Sequence, residues 1–411
     1  MTVRAVAVTG LGTVCAIGDS PDAVFDAALA GRSGVLPAPG LDVGAGAPLV
    51  AAAHFDERAL VTPLRNVAVD RATALALTAA RQACTDAGGR DVVEGGRTGV
   101  YWGTGMGGVT TLEASYRAIF GDGSWRVKPG TVVTVMLNAP ASCIAIDQHA
   151  TGPALTYSVA CASSAIAIGE AMLAIRAGRI DCAIVGGSDS LLTAPVLSAW
   201  SALRALATRD ARDPARSCKP FAATRSGFVL GEAAAALVLE SDERARARGA
   251  RRYALAAGYG TSCDASHLAD PLSGGQARAI AAALDDAGLA PQAVGYVNAH
   301  GTATRAGDRA ETLSLRAALG EHAERVPVSS TKAVHGHTMG AAGALEFLIA
   351  VLAIHHGAVP PTAHLDDPDP ELGLDFVAEG PRRGVDLVAS MSNSFAFGGS
   401  NAVLVARRAA P

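Results

Sequence analysis

From end to end the chain alternates short apolar runs with amphipathic segments, and its apolar runs stop in turns made of tiny residues. Residues 3–8 read as a buried strand leading into Thr9-Gly-Leu-Gly-Thr-Val-Cys15 and a helix near Ser20. Residues 98–102 run into Gly103-Thr-Gly-Met-Gly-Gly108, and 182–185 into Gly186-Gly187-Ser188. Helical patterns over 70–87 and 139–149 stand between them, with 126–138 irregular. The rhythm then resumes, with strands over 252–259, 295–299, 326–329, 385–389 and 402–406. Its helices fall at 273–287, 307–319 and 340–356. Such alternation predicts an α/β fold with sheets covered by helices. The resumption predicts an internal duplication, with halves 1–250 and 251–411 divided by a solvated, charged connector over 240–252.

Residues 155–178 set the strongest local constraint. A β-type run (Leu155, Thr156, Tyr157, Val159) turns at Ala160-Cys161 into a helix that stops at Gly178, a residue type favoured just past a helix end. Ala160, Ala162, Ser163, Ser164 and Ala165 leave room for a substrate beside the first turn. A free cysteine is more often inert packing than a nucleophile. Placed at a helix start, however, its thiolate is expected to be stabilised by unpaired N–H groups. The strand–turn–cysteine–helix order predicts an elbow that presents sulfur to a chamber.

Composition removes several function classes. The net charge of −4 gives no support for nucleic-acid binding as the main activity. Seven cysteines without CxxC pairs fit a reducing cytoplasm better than a disulfide framework. The N-terminus does not read as a secretory leader, and the long apolar stretch over 341–354 is broken by Glu346, so no membrane span is expected. With aromatics at 4%, close packing of small residues must supply much of the cohesion.

Three later clusters carry chemistry. In Asn298-Ala-His300-Gly-Thr302-Ala-Thr304-x-x-Gly307-Asp308-x-x-Glu311, a strand-end histidine is followed by alternate hydroxyls. The histidine alone reads as structural, but the Thr-x-Thr fits a polar ligand arm. In Lys332-Ala-Val-His335-Gly-His337-Thr-Met-Gly340, a lysine and histidines stand in an apolar context. Glu346, inside the following helix, needs a cation, and Lys332 is the nearest choice. His335-x-His337 could be half a metal site, but no nearby ligand spacing completes it. Ser392-Asn-Ser-Phe395-Ala-Phe397-Gly398-Gly399-Ser400-Asn401 reads either as an apolar flap or as a β-turn with core anchors. Gly103-x-Gly105-x-x-Gly108 matches a dinucleotide fingerprint only formally, because the acidic residue after the next strand is missing; a tight turn is the better reading.

Together these clusters, in this order and with these gaps, resemble the β-ketoacyl-acyl carrier protein synthases, especially the synthase II type and the ketosynthase subunits of type II polyketide systems. The resemblance runs from Val8-Thr-Gly-Leu-Gly12 to Gly398-Gly-Ser-Asn401. It implies the thiolase fold, a duplicated five-layer αβαβα arrangement. It implies Cys161 as nucleophile, His300 and His337 as the catalytic histidines, and Lys332–Glu346 as a buried pair. Asp308 is implied as a structural acid, and Phe397 as the flap residue whose N–H joins that of Cys161 in an oxyanion hole. Phe228 and Phe395 would line the entrance, and Thr302 and Thr304 would bind a phosphopantetheine arm.

The implied reaction is decarboxylative condensation of an acyl-enzyme with malonyl carrier protein in type II fatty acid or polyketide biosynthesis, leaning to a specialised polyketide role. No metal or cofactor is implied beyond the carrier-borne phosphopantetheine. The implied partners are an acyl carrier protein and a second subunit, either identical or of chain-length-factor type, in the cytoplasm. Nucleic acid and membrane are not expected partners. Arg65, Arg71, Arg126 and Arg209 are candidate contacts for an acidic carrier.

Four positions depart from the family pattern: Ala396 in place of a flap glycine, Ser226 in place of aspartate, His335 in place of a smaller polar residue, and Pro140 in a usually helical region. The alternatives are an acyltransferase that does not condense and a non-catalytic subunit that sets chain length.

Overall fold

In the computed structural model, which describes residues 4–38, 40–41, 47–56, 60 and 68–410, ten strands pair into one mixed sheet. The first five are β1 (Val6–Cys15), β2 (Thr98–Gly103), β3 (Ala154–Tyr157), β4 (Cys182–Asp189) and β5 (Ala233–Ser241). The second five are β6 (Ala254–Cys263), β7 (Val294–Asn298), β8 (Val328–Ser329), β9 (Ala389–Phe395) and β10 (Ser400–Arg407). Outward from the centre, one half runs β1-β5-β4-β2-β3 and the other β6-β10-β9-β7-β8. Strand directions repeat as well: in each half the two inner pairings are antiparallel and the two outer ones parallel. Within the sheet, among the described residues, the halves join where β1 pairs with β6, at Ala7↔Leu255 and Val8↔Ala254.

The helices complete five layers. Helices α1 (Arg71–Asp86) and α3 (Ser273–Ala287) cover the outer faces, α1 on β1 and β5, α3 on β6 and β10. Between the halves lie α2 (Ser163–Arg176) and α5 (Ala342–His356), each touching strands of both. Helix α4 (Arg305–Leu319) packs beside α3. A helix touched on every side must be apolar or small all round, and every residue of α5 from Ala342 to Ile354 is buried, Glu346 included. By length and composition Met339–His356 could cross a membrane, yet 89% of it is buried inside this fold.

Three predicted boundaries move, two of them at glycines. Gly10-Leu-Gly12 and Gly186-Gly187 lie inside strands β1 and β4, not in turns after them. Glycine is there for close approach: a Cβ on Gly10 would lie 2.1 Å from the Ala83 carbonyl oxygen of α1. The second half repeats the interlock, with a Cβ on Gly258 only 2.2 Å from the Ala283 oxygen of α3. Similarly, β9 extends to Phe395, so the expected flap shrinks to residues 396–399. The start expected at residue 3 lies outside the described residues.

Two further corrections follow. Pro140 does not interrupt the helix Ala139–Gln148 but sits in its first turn, where proline is tolerated. The charged connector is also less solvated than expected. Glu240 is fully buried and accepts from Thr9 Oγ1 at 2.6 Å and Arg244 Nη1 at 2.8 Å, with Arg248 alongside.

Gly10→Ala and Gly258→Ala should each destabilise the protein by about 3 kcal/mol, the upper range for forced overpacking. Gly274→Ala, in the first turn of α3 and nearly free of neighbours, should be neutral or slightly stabilising. Urea unfolding midpoints of the three variants check this; equal effects would contradict the interlock.

Candidate active site

Cys161 stands between β3 and α2 in a strained elbow. Ala160 has φ +45°, and the Ser163 hydroxyl holds the turn by accepting from Val159 N–H (2.8 Å) and donating to the Ala160 carbonyl (2.6 Å). The sulfur is buried, 3.0 Å from His337 Nε2 and 4.0 Å from Met339 Sδ. The Phe397 N–H is aimed at it.

One expectation is overturned here. Burial pushes the Cys161 thiol up to about 12, against the pull of the Lys332 charge and the Phe397 N–H. The helix begins only at Ser163, two residues past the cysteine. The resting thiol is therefore protonated, not a stabilised thiolate.

The second half supplies the other groups. His300 follows β7, and its backbone N–H and that of Gly301 donate to the two oxygens of Glu311, at 2.8 and 2.7 Å. Asn393 Nδ2 braces the same carboxylate at 3.0 Å. His337 is fixed through its backbone, donating to the Val229 carbonyl (2.7 Å) and accepting from Gly231 N–H (2.9 Å). The two imidazoles stand nearly perpendicular, ring centroids 5.4 Å apart. Burial, then the Lys332 charge, drives both well below the ordinary histidine range, so both are neutral.

Lys332 and Glu346 form a fully buried ion pair. Burial lifts the Glu346 carboxyl to about 7 while Lys332 pulls it down. Lys332 Nζ also lies 3.4 Å from His300 Nδ1. An ammonium only donates, so His300 Nδ1 accepts and the His300 proton sits on Nε2.

The ring nitrogens and the sulfur all lie within 4.8 Å of one another, close enough to tempt a metal reading. The same ammonium argues against it: a ligating histidine needs an acceptor behind its second nitrogen, and here stands a cationic donor. His335 cannot join. Its Nδ1 faces the Gly336 carbonyl at 2.7 Å and its Nε2 the Thr331 hydroxyl at 3.0 Å.

These side chains open on a cavity of about 310 Å³. Thr302 and Thr304 line it, their hydroxyls 3.0 Å apart, and Thr304 also caps α4 by accepting from Gly307 N–H at 3.2 Å. Phe395 lines it edge-on to His300. Phe228 lies deeper than an entrance residue: it is buried, edge-on to His337 at 5.2 Å. Asp308 sits behind the chamber, fully buried, accepting from Phe221 N–H at 2.8 Å; burial lifts it to about 7.

Among the four departures, Ala396 is not in the left-handed region, and the positive φ values fall on Gly398 (+87°) and Gly399 (+75°), so Ala396 carries no backbone strain. Ser226 accepts from Thr208 N–H at 3.0 Å. Of the candidate arginines, Arg71 is engaged with Glu232 and Arg65 lies outside the described residues.

Sequence reasoning missed two buried acids. Glu311 entered only as part of an acidic helix start. Asp189, at the end of β4, accepts from Gly105 N–H (2.8 Å), Gly340 N–H (2.6 Å) and Thr104 Oγ1 (2.9 Å), which ties the turn after β2 to the segment after His337. Its only sequence signal was an acid closing an otherwise apolar strand.

Residues 3–245 match the family described as Beta-ketoacyl synthase, N-terminal domain, and residues 253–366 its C-terminal domain. Nodulation protein E of Rhizobium meliloti (strain 1021) is 40% identical over 410 residues, covering 98% of each chain. The 3-oxoacyl-[acyl-carrier-protein] synthase 2 of Staphylococcus aureus (strain COL) is 38% identical over 411 residues, again covering 98% of each. Among solved structures, the ishigamide ketosynthase/chain length factor superposes with TM-score 0.92 at 32% identity over 100% of both chains. A type II polyketide acyl-carrier protein in complex with its ketosynthase bound to the hexaketide gives TM-score 0.91 at 30% identity, covering 99% of this chain and 100% of that one.

Proposed function

The chain belongs to the β-ketoacyl synthase family and is an acyltransferase of the 3-oxoacyl-acyl carrier protein synthase class; from that premise we propose that Cys161 is its acyl-carrying nucleophile and that His300 and His337 stabilise the enolate. The observation that carries this reading is the meeting of a thiol from the first half with two neutral imidazoles from the second, His337 Nε2 at 3.0 Å from the sulfur.

Acyl transfer makes a bond from Cys161 sulfur to the acyl carbon and breaks the carrier thioester, the thiol proton leaving with the carrier thiol. His337 Nε2, the Phe397 N–H and the Lys332 charge offset the cost of the transient thiolate in a dry chamber. Malonyl carrier protein then loses carbon dioxide, and the electron pair of the broken carbon–carbon bond becomes an enolate whose oxygen accepts from the two imidazole N–H groups. The enolate carbon attacks the acyl thioester. The N–H groups of Cys161 and Phe397 hold the tetrahedral oxyanion, each such donor typically worth about 3 kcal/mol. Collapse releases the β-ketoacyl product and returns the thiolate, which takes a proton.

In this reading Thr302 and Thr304 bind the phosphopantetheine arm, the only prosthetic group required. Lys332, paired with Glu346, sets the tautomer of His300, Phe395 and Phe228 wall the chamber, and Asp308 supports the base of α4. The relatives described as a ketosynthase with its chain length factor and as a ketosynthase with its carrier protein support a carrier partner, a second subunit and a polyketide-type pathway. A cytoplasmic location goes with that assignment.

Incubation with an acyl carrier protein thioester should add the acyl mass to the intact protein, on Cys161. Subsequent malonyl carrier protein should release carbon dioxide and a β-ketoacyl product. Cys161→Ala should take up no acyl group and lower condensation by at least about 10³-fold. An intact enzyme that never gains the acyl mass would refute the assignment. Acylation without carbon dioxide release would point to a non-condensing acyltransferase.

A further inference from the structure

The chamber's outer lip is the segment Asp264 to Pro271, of which Asp264 and residues 267–271 line the cavity together with the two threonines. His267 stands in it, its side chain 62% exposed. Its Nδ1 accepts from two backbone N–H groups, Ala269 and Asp270, each at 3.1 Å. Between them, the Leu268 carbonyl accepts from Gly398 N–H at 2.7 Å, and Asp264 N–H donates to the Gly399 carbonyl at 2.8 Å. The next residue back along the flap is Phe397, whose N–H is aimed at the Cys161 sulfur. A short covalent and hydrogen-bonded path thus runs from an exposed imidazole to the oxyanion donor.

We propose that His267 is a positioning residue for the Phe397 N–H, holding the lip and flap together as a neutral acceptor and releasing them when it is protonated. The inference rests on the role given above to Phe397. Only the neutral ring with its proton on Nε2 can accept at Nδ1; the imidazolium carries N–H on both nitrogens and would confront two donors. The charged neighbours favour the exchange. Asp270 Oδ2, 3.4 Å from Nδ1, becomes the natural acceptor for a protonated ring. Asp264 is already committed to Asn401 Nδ2 (2.8 Å) and Leu272 N–H (2.9 Å). Arg204 also lines the cavity, as do the buried His300 and Glu311; residues 396–399 contribute no titratable side chain. Once the ring carries a second proton, Nδ1 no longer accepts, the cap is lost and the flap loosens.

The test compares wild type, His267→Asn and His267→Ala between pH 5.5 and 8.5. It reads kcat/KM with carrier-bound substrates, and amide hydrogen exchange of residues 264–272 and 396–399 corrected for intrinsic rates. Wild type should lose about tenfold in kcat/KM toward pH 5.5, the scale of one lost hydrogen bond, while exchange in both segments rises together. Asparagine can accept at every pH, so His267→Asn should hold its rate within about threefold across the range. His267→Ala should exchange fast in both segments at every pH. An acid limb in His267→Asn identical to wild type, or residues 396–399 unmoved in His267→Ala, would overturn the proposal. If the condensing assignment were wrong, no product would form at any pH, and the exchange measurements would still decide the role of His267.

Discussion

Lys332→Met should lower condensation by about 10²–10³-fold and destabilise the protein by about 3–5 kcal/mol, the range for a buried pair that loses one partner. Lys332 is fully buried, pairs with Glu346 and faces His300 Nδ1 at 3.4 Å. Methionine fills the space but leaves the Glu346 carboxylate without a cation. Two catalytic effects accompany the structural one: His300 loses the donor that keeps its proton on Nε2, and Cys161 loses the positive charge that opposes its desolvation. The double variant Lys332→Met, Glu346→Leu separates them. Its stability should return to near wild type, because well-packed apolar groups can replace a buried pair at little cost, and its condensation should stay low. Recovery of activity in the double variant would mean that the pair serves packing alone.

Alkali should unfold this protein cooperatively between about pH 9 and 10. Six of its seven cysteines are buried. Burial pushes Cys143 up to about 11, and Cys15, Cys161, Cys182 and Cys218 up to about 12, with Cys84 raised as well. In the unfolded chain a thiol ionises near 8.5. The folded state therefore keeps protons that the unfolded state releases. Their contribution to stability is full below about pH 8.5 and is lost as pH rises toward the folded values. Each raised group lowers stability by about 1.4 kcal/mol per pH unit in that window, so six together reach about 8 kcal/mol per unit. Total stabilities of about 5–15 kcal/mol do not survive two such units. Thermal melts in reductant from pH 7.5 to 10 check this. The midpoint should collapse, and Cys182→Ala should soften the fall by about a sixth. A flat midpoint would show the thiols to be solvated.

Much of this was legible in the residues. The elbow at Cys161 could be read because its turn, its small neighbours and its closing glycine are local, and the helix Ser273–Ala287 falls where its periodicity puts it. Glycine misled where its reason is non-local. Gly10 reads as a turn until the Ala83 carbonyl, far along the chain, is seen to occupy the place of its Cβ. Asp189 and Glu311 escaped because most of their partners are backbone N–H groups, which have no sequence signature. The thiol's protonation was misjudged because a helix start can be read from sequence, whereas complete burial depends on residues from both halves.

The chamber joins Cys161 to a histidine 176 residues later, and that gap has a meaning in time. At about 5–20 residues per second, synthesis separates the two by roughly 10–35 s. During that interval the elbow exists and its electrostatic shell does not: His337, Lys332 and the Phe397 N–H are still unmade. A nascent chain therefore carries Cys161 as an ordinary thiol, and the reactive site appears all at once when the second half closes over α2.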